Sequence, residues 1–429
     1  MARPPRSLRV VRTGWLNDLR YGRDGPYTDV ENTLVALRAV PGFIDAFAFD
    51  EMAQRVKLAR DHPIQDEGER GDPPPRFLSD ADISRVQSWL QANGISKLAK
   101  ETVRQAIYLR ALAFRFHPVR DMLDGFAEAW DGASRVGAWL HDYLGTPDDE
   151  YHRQVGSMFL IALVKRIYEP GCQSDYMIVL EGPQGEEKSK LCRALVGDEY
   201  FSDSMPSISG GDQVRLSMHL RNKWLIELSE LAAMSKSDAE PLKAFISRRT
   251  EDYTAKFAHE EGHEPRQCSF IGTTNDDSYL KDDTGARRFW PVAVKLILYT
   301  AFVEVREQLL GEAVQLYREG KQHWPDRGFE KEVMAPIQAQ RQWHDEWTAK
   351  VVEAADRMTT VTIAGIWEKM NTNFNGGSDV TKLDMLAQKR IASILRKQGY
   401  RKFRETSGRI SWRKVETPNP PEPFEPFPL

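Results

Sequence analysis

Lys188 and Ser189 follow a glycine-containing loop, "EGPQGEEKSKL" (181–191), and stand at the head of an amphipathic stretch. Such a loop binds phosphate because consecutive backbone N–H groups line a concavity, a helix N-terminus adds partial positive charge, and a lysine reaches the terminal phosphates. The pattern G-x-x-x-x-G-K-[ST] fits Gly182, Lys188 and Ser189, with Gly185 inside the loop and Lys190 just beyond it as a further cation. In that reading Lys188 meets the β and γ phosphates of ATP, and the Ser189 hydroxyl ligates Mg²⁺. The second glycine of the pattern is replaced by Glu187. Its β-carbon and its charge both work against a triphosphate, so weakened ATP binding is expected. Taken alone, the broken pattern suits an ordinary turn equally well. The apolar run before it and the amphipathic helix after it are the setting a phosphate loop requires.

Three further stretches follow in order. "KWLIELSEL" ends a hydrophobic strand in acidic residues; Glu227 is the candidate Mg²⁺ ligand and Glu230 the carboxylate to polarise the attacking water. "FIGTTND" ends another in Asn275, a candidate to orient that water. "DDTGARRFWPV" holds Arg287 and Arg288, either of which could neutralise charge in a neighbouring subunit's phosphoryl transfer. Each has a plainer reading as a solvated strand end or a surface ion pair. The ordered series is more specific than any member.

Two basic regions suit nucleic acid. "LKAFISRRTEDYTAKFAHEEGHEPR" contains Lys243, Arg248, Arg249, Lys256 and Arg266 with Tyr253 and Phe257 interleaved, the mixture that meets phosphates and stacks on bases. A solvated helix face competes with that reading, and His259, Glu260, His263 and Glu264 read as a charged loop, not as metal ligands. Between Lys382 and Lys414 stand eleven Lys or Arg against two acids, Asp384 and Glu405. Lys389, Arg390, Arg396 and Lys397 fall on an expected helix there, and Arg401, Lys402, Arg404 and Arg409 around an expected wing.

The elements that would position these residues are legible in outline. "SDADISRVQSWLQANG" offers Ser79 or Asp80 as N-cap and Gly94 as a stop; a second helix is expected from about Lys97 to Phe116. "YMIVL", "KWLIEL", "CSFIGTTN" and "RRFWPV" read as buried strands of a mainly parallel sheet with helices on it, an α/β class. The expected organisation is an N-terminal region and linker (1–76), a helical domain (77–170), a P-loop core (171–300) and a helical segment (301–357). A winged-helix-like module (358–415) and a disordered proline-rich tail (416–429) complete it. Residues 1–60 show no strong periodicity. Cys172, Cys192 and Cys268 lack the pairing of a disulfide framework or a zinc site and read as free thiols. No run suits a membrane span or a signal peptide, so a cytoplasmic protein is expected. The net charge of -4 decides nothing about partners.

The blocks "HPVRDML", "WDGASRVGAWL", "EPGCQSDYMIVLEGPQG", "WLIELSEL", "LKAFISRRTEDY", "PRQCSFIGTTND" and "DDTGARRFWPV", over about residues 117 to 292, resemble those of the virulence-associated protein E (VapE/VirE) family in their order. That family belongs to phages and mobile elements and is related to superfamily 3 helicases. The resemblance implies an AAA-like P-loop NTPase core, an ATP- and Mg²⁺-dependent helicase or replication ATPase. It implies a homo-oligomeric ring, with a hexamer among its expected forms, carrying single-stranded DNA in its channel. It also implies Lys188 and Ser189 as the Walker A pair, Glu227 and Glu230 as the Walker B region, Asn275 as sensor and Arg287 or Arg288 as arginine finger. The alternative is a DNA-binding replication or interference protein with a degenerate, poorly hydrolysing loop. A third class, a small-molecule kinase, leaves the basic C-terminus unexplained.

Overall fold

The computed structural model describes residues 13–60, 73–185, 187–206, 208, 213–229, 231, 236–253, 262–276, 278–280, 286–342, 347–356, 358–372 and 383–415. The chain divides into two compact units, Met1–Gln342 and Trp343–Leu429. The first opens with a short hairpin, β1 (Tyr21–Gly22) and β2 (Gly25–Pro26), then α1 (Val30–Ala39), β3 (Phe47–Asp50), β4 (Arg55–Leu58), β5 (Arg76–Phe77), α2 (Asp80–Ala92), α3 (Lys100–Leu112) and β6 (Arg115–Phe116). The four strands β3 to β6 form one sheet in the order β5-β4-β3-β6. Ser79 is the N-cap of α2, chosen over Asp80 because Asp82 three residues on completes a reciprocal capping box.

This region corrects the sequence reading in three places. α1 escaped the periodicity because two buried positions on it, Asn32 and Thr33, are polar. The Asn32 amide accepts from Arg20 N (2.8 Å) and donates to the carbonyls of Arg20 (2.8 Å) and Tyr27 (2.9 Å), so its burial is satisfied. α3 ends at Leu112, short of the expected Phe116, because Arg115 and Phe116 pair with Phe49 and Asp50 of β3. The expected boundary at residue 76 falls inside a single core: Trp15, Leu37, Phe43 and Phe47 pack in one cluster with Val86, Leu90 and Ile107.

The chain continues through α4 (Pro118–Glu128), α5 (Trp139–Leu144), α6 (Glu150–Tyr168), β7 (Met177–Glu181), α7 (Lys188–Val196), β8 (Phe201–Ser202), α8 (Gln213–Leu220), β9 (Leu225–Leu228) and α9 (Lys236–Ile246). An antiparallel hairpin, β10 (Thr250–Tyr253) and β11 (Gly262–Pro265), precedes β12 (Ser269–Thr274), β13 (Phe289–Ala293), α10 (Tyr299–Arg318), α11 (Arg327–Phe329) and α12 (Ala335–Gln340). Five strands form a parallel sheet in the order β13-β7-β12-β9-β8. All residues of β7, β9 and β12 are buried, which is why they read as largely apolar runs, with the polar residues Glu181, Glu227, Thr273 and Thr274 gathered toward their C-terminal ends. Ile178, Leu180, Ile271 and Trp290 face one core with α6 and α10, while Met177, Val179, Phe270 and Phe245 of α9 form another. Among the described residues no helix is long and apolar enough to cross a membrane.

The second unit contains α13 (Trp347–Ala355), β14 (Thr360–Val361), α14 (Ile363–Thr372), α15 (Met385–Lys397), β15 (Tyr400–Arg404) and β16 (Ile410–Lys414). Its sheet is antiparallel, in the order β14-β16-β15. Val351 and Ala355 of α13 share a core with Ile391, Leu395, Tyr400 and Trp412. The expected boundary at 357/358 therefore separates α13 from the core it packs in, and the expected segment 301–357 is divided: α10 belongs to the first unit and α13 to the second. The proline-rich tail lies outside the described residues.

Candidate active site

β7 delivers the loop to the C-terminal edge of the parallel sheet, the usual place for a ligand in such folds. Its last residue, Glu181, is buried and held by Arg341, whose Nε and Nη2 each donate to the carboxylate at 3.0 Å. Gly182 N donates to Thr274 O on β12 at 3.2 Å. Gly185 adopts φ +92°, and Glu187, the N-cap of α7, sits in the left-handed region at φ 53° and ψ 21°. For a residue with a β-carbon that conformation costs about 1–2 kcal/mol, the physical reason glycine is expected there. The Lys188 side chain is buried and folded back over the loop, its Nζ donating to the carbonyls of Gly182 and Pro183 at 2.7 Å each and, more weakly, to Asn275 Oδ1 at 3.4 Å.

Ser189, on the first turn of α7, donates its hydroxyl to Glu227 Oε1 on β9 at 2.7 Å. Thr273 of β12 donates to the same oxygen at 2.6 Å. Glu227 is 1% exposed, and its other oxygen, Oε2, is buried with no hydrogen-bond partner among the described residues. A buried carboxylate oxygen left without a donor is costly. A hydroxyl beside a carboxylate is the hard oxygen set that Mg²⁺ takes, so these residues fit that ion. Cys192, one turn further along α7, is buried; burial first and the Glu227 charge second push its thiol well above the ordinary range, and it stays neutral.

Glu187 does not act on the loop alone. Its carboxylate pairs with Lys190 Nζ at 2.8 Å, and that ammonium lies 3.9 Å from the centroid of the Tyr299 ring. The hydrogen bond it donates to the Glu187 carboxylate raises Lys190 above its usual value. Arg287 and Arg288 occupy a single 3-10 turn before β13; Arg288 Nε donates to Ser247 Oγ at 3.0 Å, while Arg287 is exposed. Glu230 and Lys256 lie outside the described residues. Thr273 and the Glu181–Arg341 pair are additions that the sequence did not single out. No local pattern marks them, since each acquires its role from pairing distant in the chain.

The expected nucleic-acid residues separate into two groups. Lys243 is a correction: it is buried, and its Nζ meets Glu240 at 2.6 Å. Arg248 donates to Gln213 Oε1 at 3.2 Å, Arg249 to Gly171 O at 2.7 Å, and Arg266 is buried in an ion pair with Glu251. Arg249 and Arg266 thereby tie the base of the β10–β11 hairpin to the core, the Lys243 contact lies within α9, and Arg248 and Arg249 are exposed. In the second unit Lys389, Arg396, Lys397, Arg401, Lys402, Arg404 and Arg409 are exposed, whereas the Arg390 guanidinium is half-buried, 4.3 Å from the Trp347 ring centroid. The expected charged loop is corrected in part: His263 and Glu264 stand on strand β11, paired with Asp252 and Glu251 of β10, while His259 and Glu260 lie outside the described residues. Cys172, Cys192 and Cys268 are free thiols.

The model of the virulence-associated protein E-like domain matches residues 123–343, half of the chain, with the loop, Glu227, Asn275 and both arginines inside the match. The chain belongs to this family. No curated protein matches it. Among solved structures, this VapE-like chain is similar to the apo structure of the NrS-1 C terminal region (305-718), at 13% identity and a TM-score of 0.44, covering 86% of this chain and 96% of that one. The A form apo structure of the same region aligns at 12% identity and a TM-score of 0.41, with the same coverage.

Proposed function

We propose that this VapE-like chain is an Mg²⁺-dependent ATPase with a P-loop NTPase core, working as a helicase-type motor on DNA in the replication of a phage or mobile element. The observation that carries the reading is the Ser189–Glu227 contact, with a buried Glu227 oxygen beside it that has no partner among the described residues, at the mouth of a loop bearing Lys188. Lys188 rests on two backbone carbonyls, which phosphate oxygens of higher charge would replace. Ser189 and Glu227 would hold Mg²⁺, which supplies charge neutralisation at the terminal phosphates. Asn275, already within reach of Lys188, orients the attacking water. Arg287, exposed, is better placed than the tethered Arg288 to enter a neighbouring subunit's site, which requires a homo-oligomer, in the simplest case a ring.

The second unit supports duplex binding: three helices, a three-stranded sheet and a β15–β16 wing match the order of a winged helix, and its exposed cations suit phosphates. The left-handed Glu187 favours a second reading, a DNA-binding replication or interference protein whose loop hydrolyses ATP poorly. ATP hydrolysis measured with and without single-stranded DNA separates them. DNA-stimulated turnover that is lost in Lys188→Ala supports the motor; tight DNA binding without turnover supports the second reading.

A further inference from the structure

Within the first unit, far from Lys188 in sequence, an open cleft of about 420 Å³ lies between α3, β3 and the start of α4 on one side and the base of the β10–β11 hairpin on the other. Its volume falls in the range of ligand sites. Tyr108 of α3 lines it with 47% of its surface exposed, and its ring is held edge-to-face by Phe49 at 5.8 Å and 88°. The ring is thus fixed in direction yet open to solvent. Arg115 pairs in register with Phe49 and is exposed; Arg120, on the first turn of α4, is partly so. Both guanidiniums approach one carboxylate, Glu51, at 4.0 and 3.6 Å. On the opposite wall Arg221 is paired with Glu264 and Arg266 with Glu251. Those pairs cancel, whereas among the described residues Arg115 and Arg120 share a single opposing charge, leaving the described lining with an excess cation beside an aromatic face.

We infer that this cleft is a binding site for a single strand of nucleic acid, with Tyr108 as the base platform and Arg115 and Arg120 as the phosphate contacts. The inference rests on the proposed action on DNA and adds to it a site outside both the nucleotide loop and the basic second unit. A planar guanidinium suits phosphate oxygens, and an aromatic ring stacks on any base. A duplex keeps its base faces inside its own stack, so one exposed platform selects an unpaired strand. An acidic peptide would satisfy the arginines but gain nothing from the ring.

The test is fluorescence anisotropy of a labelled oligothymidylate with the full chain and three variants, each checked for an unchanged thermal melt. Tyr108→Ala is expected to weaken binding roughly 5- to 150-fold, and Tyr108→Phe to stay within about twofold of the parent. Arg115→Glu is expected to weaken binding and flatten its salt dependence. Photocrosslinking of an iodouridine-containing strand to the unmodified chain is expected to label the peptide carrying Tyr108, a readout that needs no variant. Binding unchanged in both Tyr108→Ala and Arg115→Glu, with the crosslink elsewhere, overturns the site and leaves action on DNA standing. Failure of the unmodified chain to bind any oligonucleotide overturns both. Binding of polyglutamate that depends on Arg115 but not on Tyr108 assigns the cleft to an acidic peptide and overturns the inference.

Discussion

Ser189 Oγ and Glu227 Oε1 lie 2.7 Å apart although 38 residues separate them in the chain. The contact joins the first turn of α7 to the second buried strand beyond it and leaves the other Glu227 oxygen aimed into a buried space without a donor among the described residues. Glu227→Gln keeps the shape, and the two hydroxyls can reorient to the amide, so the fold is expected to survive. Hydrolysis should fall at least about 100-fold, and the thermal stabilisation given by Mg²⁺ with nucleotide should disappear. A variant that is still stabilised and still active would show that Glu227 is a structural carboxylate only.

Glu187 carries two opposed effects. Its left-handed backbone is strained, but Lys190 neutralises its carboxylate from outside the loop, which softens the repulsion expected from sequence alone. Glu187→Gly is therefore expected to strengthen ATP binding by about tenfold, about 1.4 kcal/mol. The melting temperature should move little, because relief of strain and the greater backbone entropy of glycine are of similar size, each about 1 kcal/mol. Nucleotide titration and a thermal melt on the same two proteins check this. Unchanged affinity would make the glutamate an accommodated variant.

The site was partly readable in advance. Strands β7, β9 and β12 announced themselves because burial on both faces favours largely apolar runs, and the residues toward or just past their ends, Glu227 and Asn275, could be placed at one edge of a sheet. Thr273 and Arg341 could not, since their partners are set by strand register and by a helix more than a hundred residues downstream. The N-terminal layer was obscured for a different reason: Asn32 and Thr33 of α1 are buried polar residues whose hydrogen bonds replace the apolar contacts that periodicity detects. Lys243 was misplaced because a basic residue in a mixed-charge segment gives no sign of which helical face it occupies.

The two adjacent arginines should behave differently. Arg287→Ala is expected to lower turnover by about 10³- to 10⁵-fold with nucleotide affinity preserved, and mixing it with unmodified subunits should depress activity beyond dilution. Arg288→Ala removes the Ser247 contact and should cost about 1 kcal/mol of stability. A chain that stays monomeric by light scattering with ATP and DNA present would refute action between subunits.

Removal of residues 343–429, the whole second unit with α13 included, is expected to abolish most duplex affinity and leave nucleotide binding intact. If four of its exposed cations meet phosphates, affinity of the full chain should fall about 10²-fold between 50 and 200 mM salt. Duplex affinity unchanged by the truncation would place the DNA contacts elsewhere.

The most direct test of the central claim, that the loop at 182–189 together with Glu227 is an ATP site, is a calorimetric titration of ATP into the full chain with and without Mg²⁺. Saturable binding that strengthens with Mg²⁺ and is lost in Lys188→Ala is the expected result. No binding under either condition, or binding undiminished in Lys188→Ala, would contradict it.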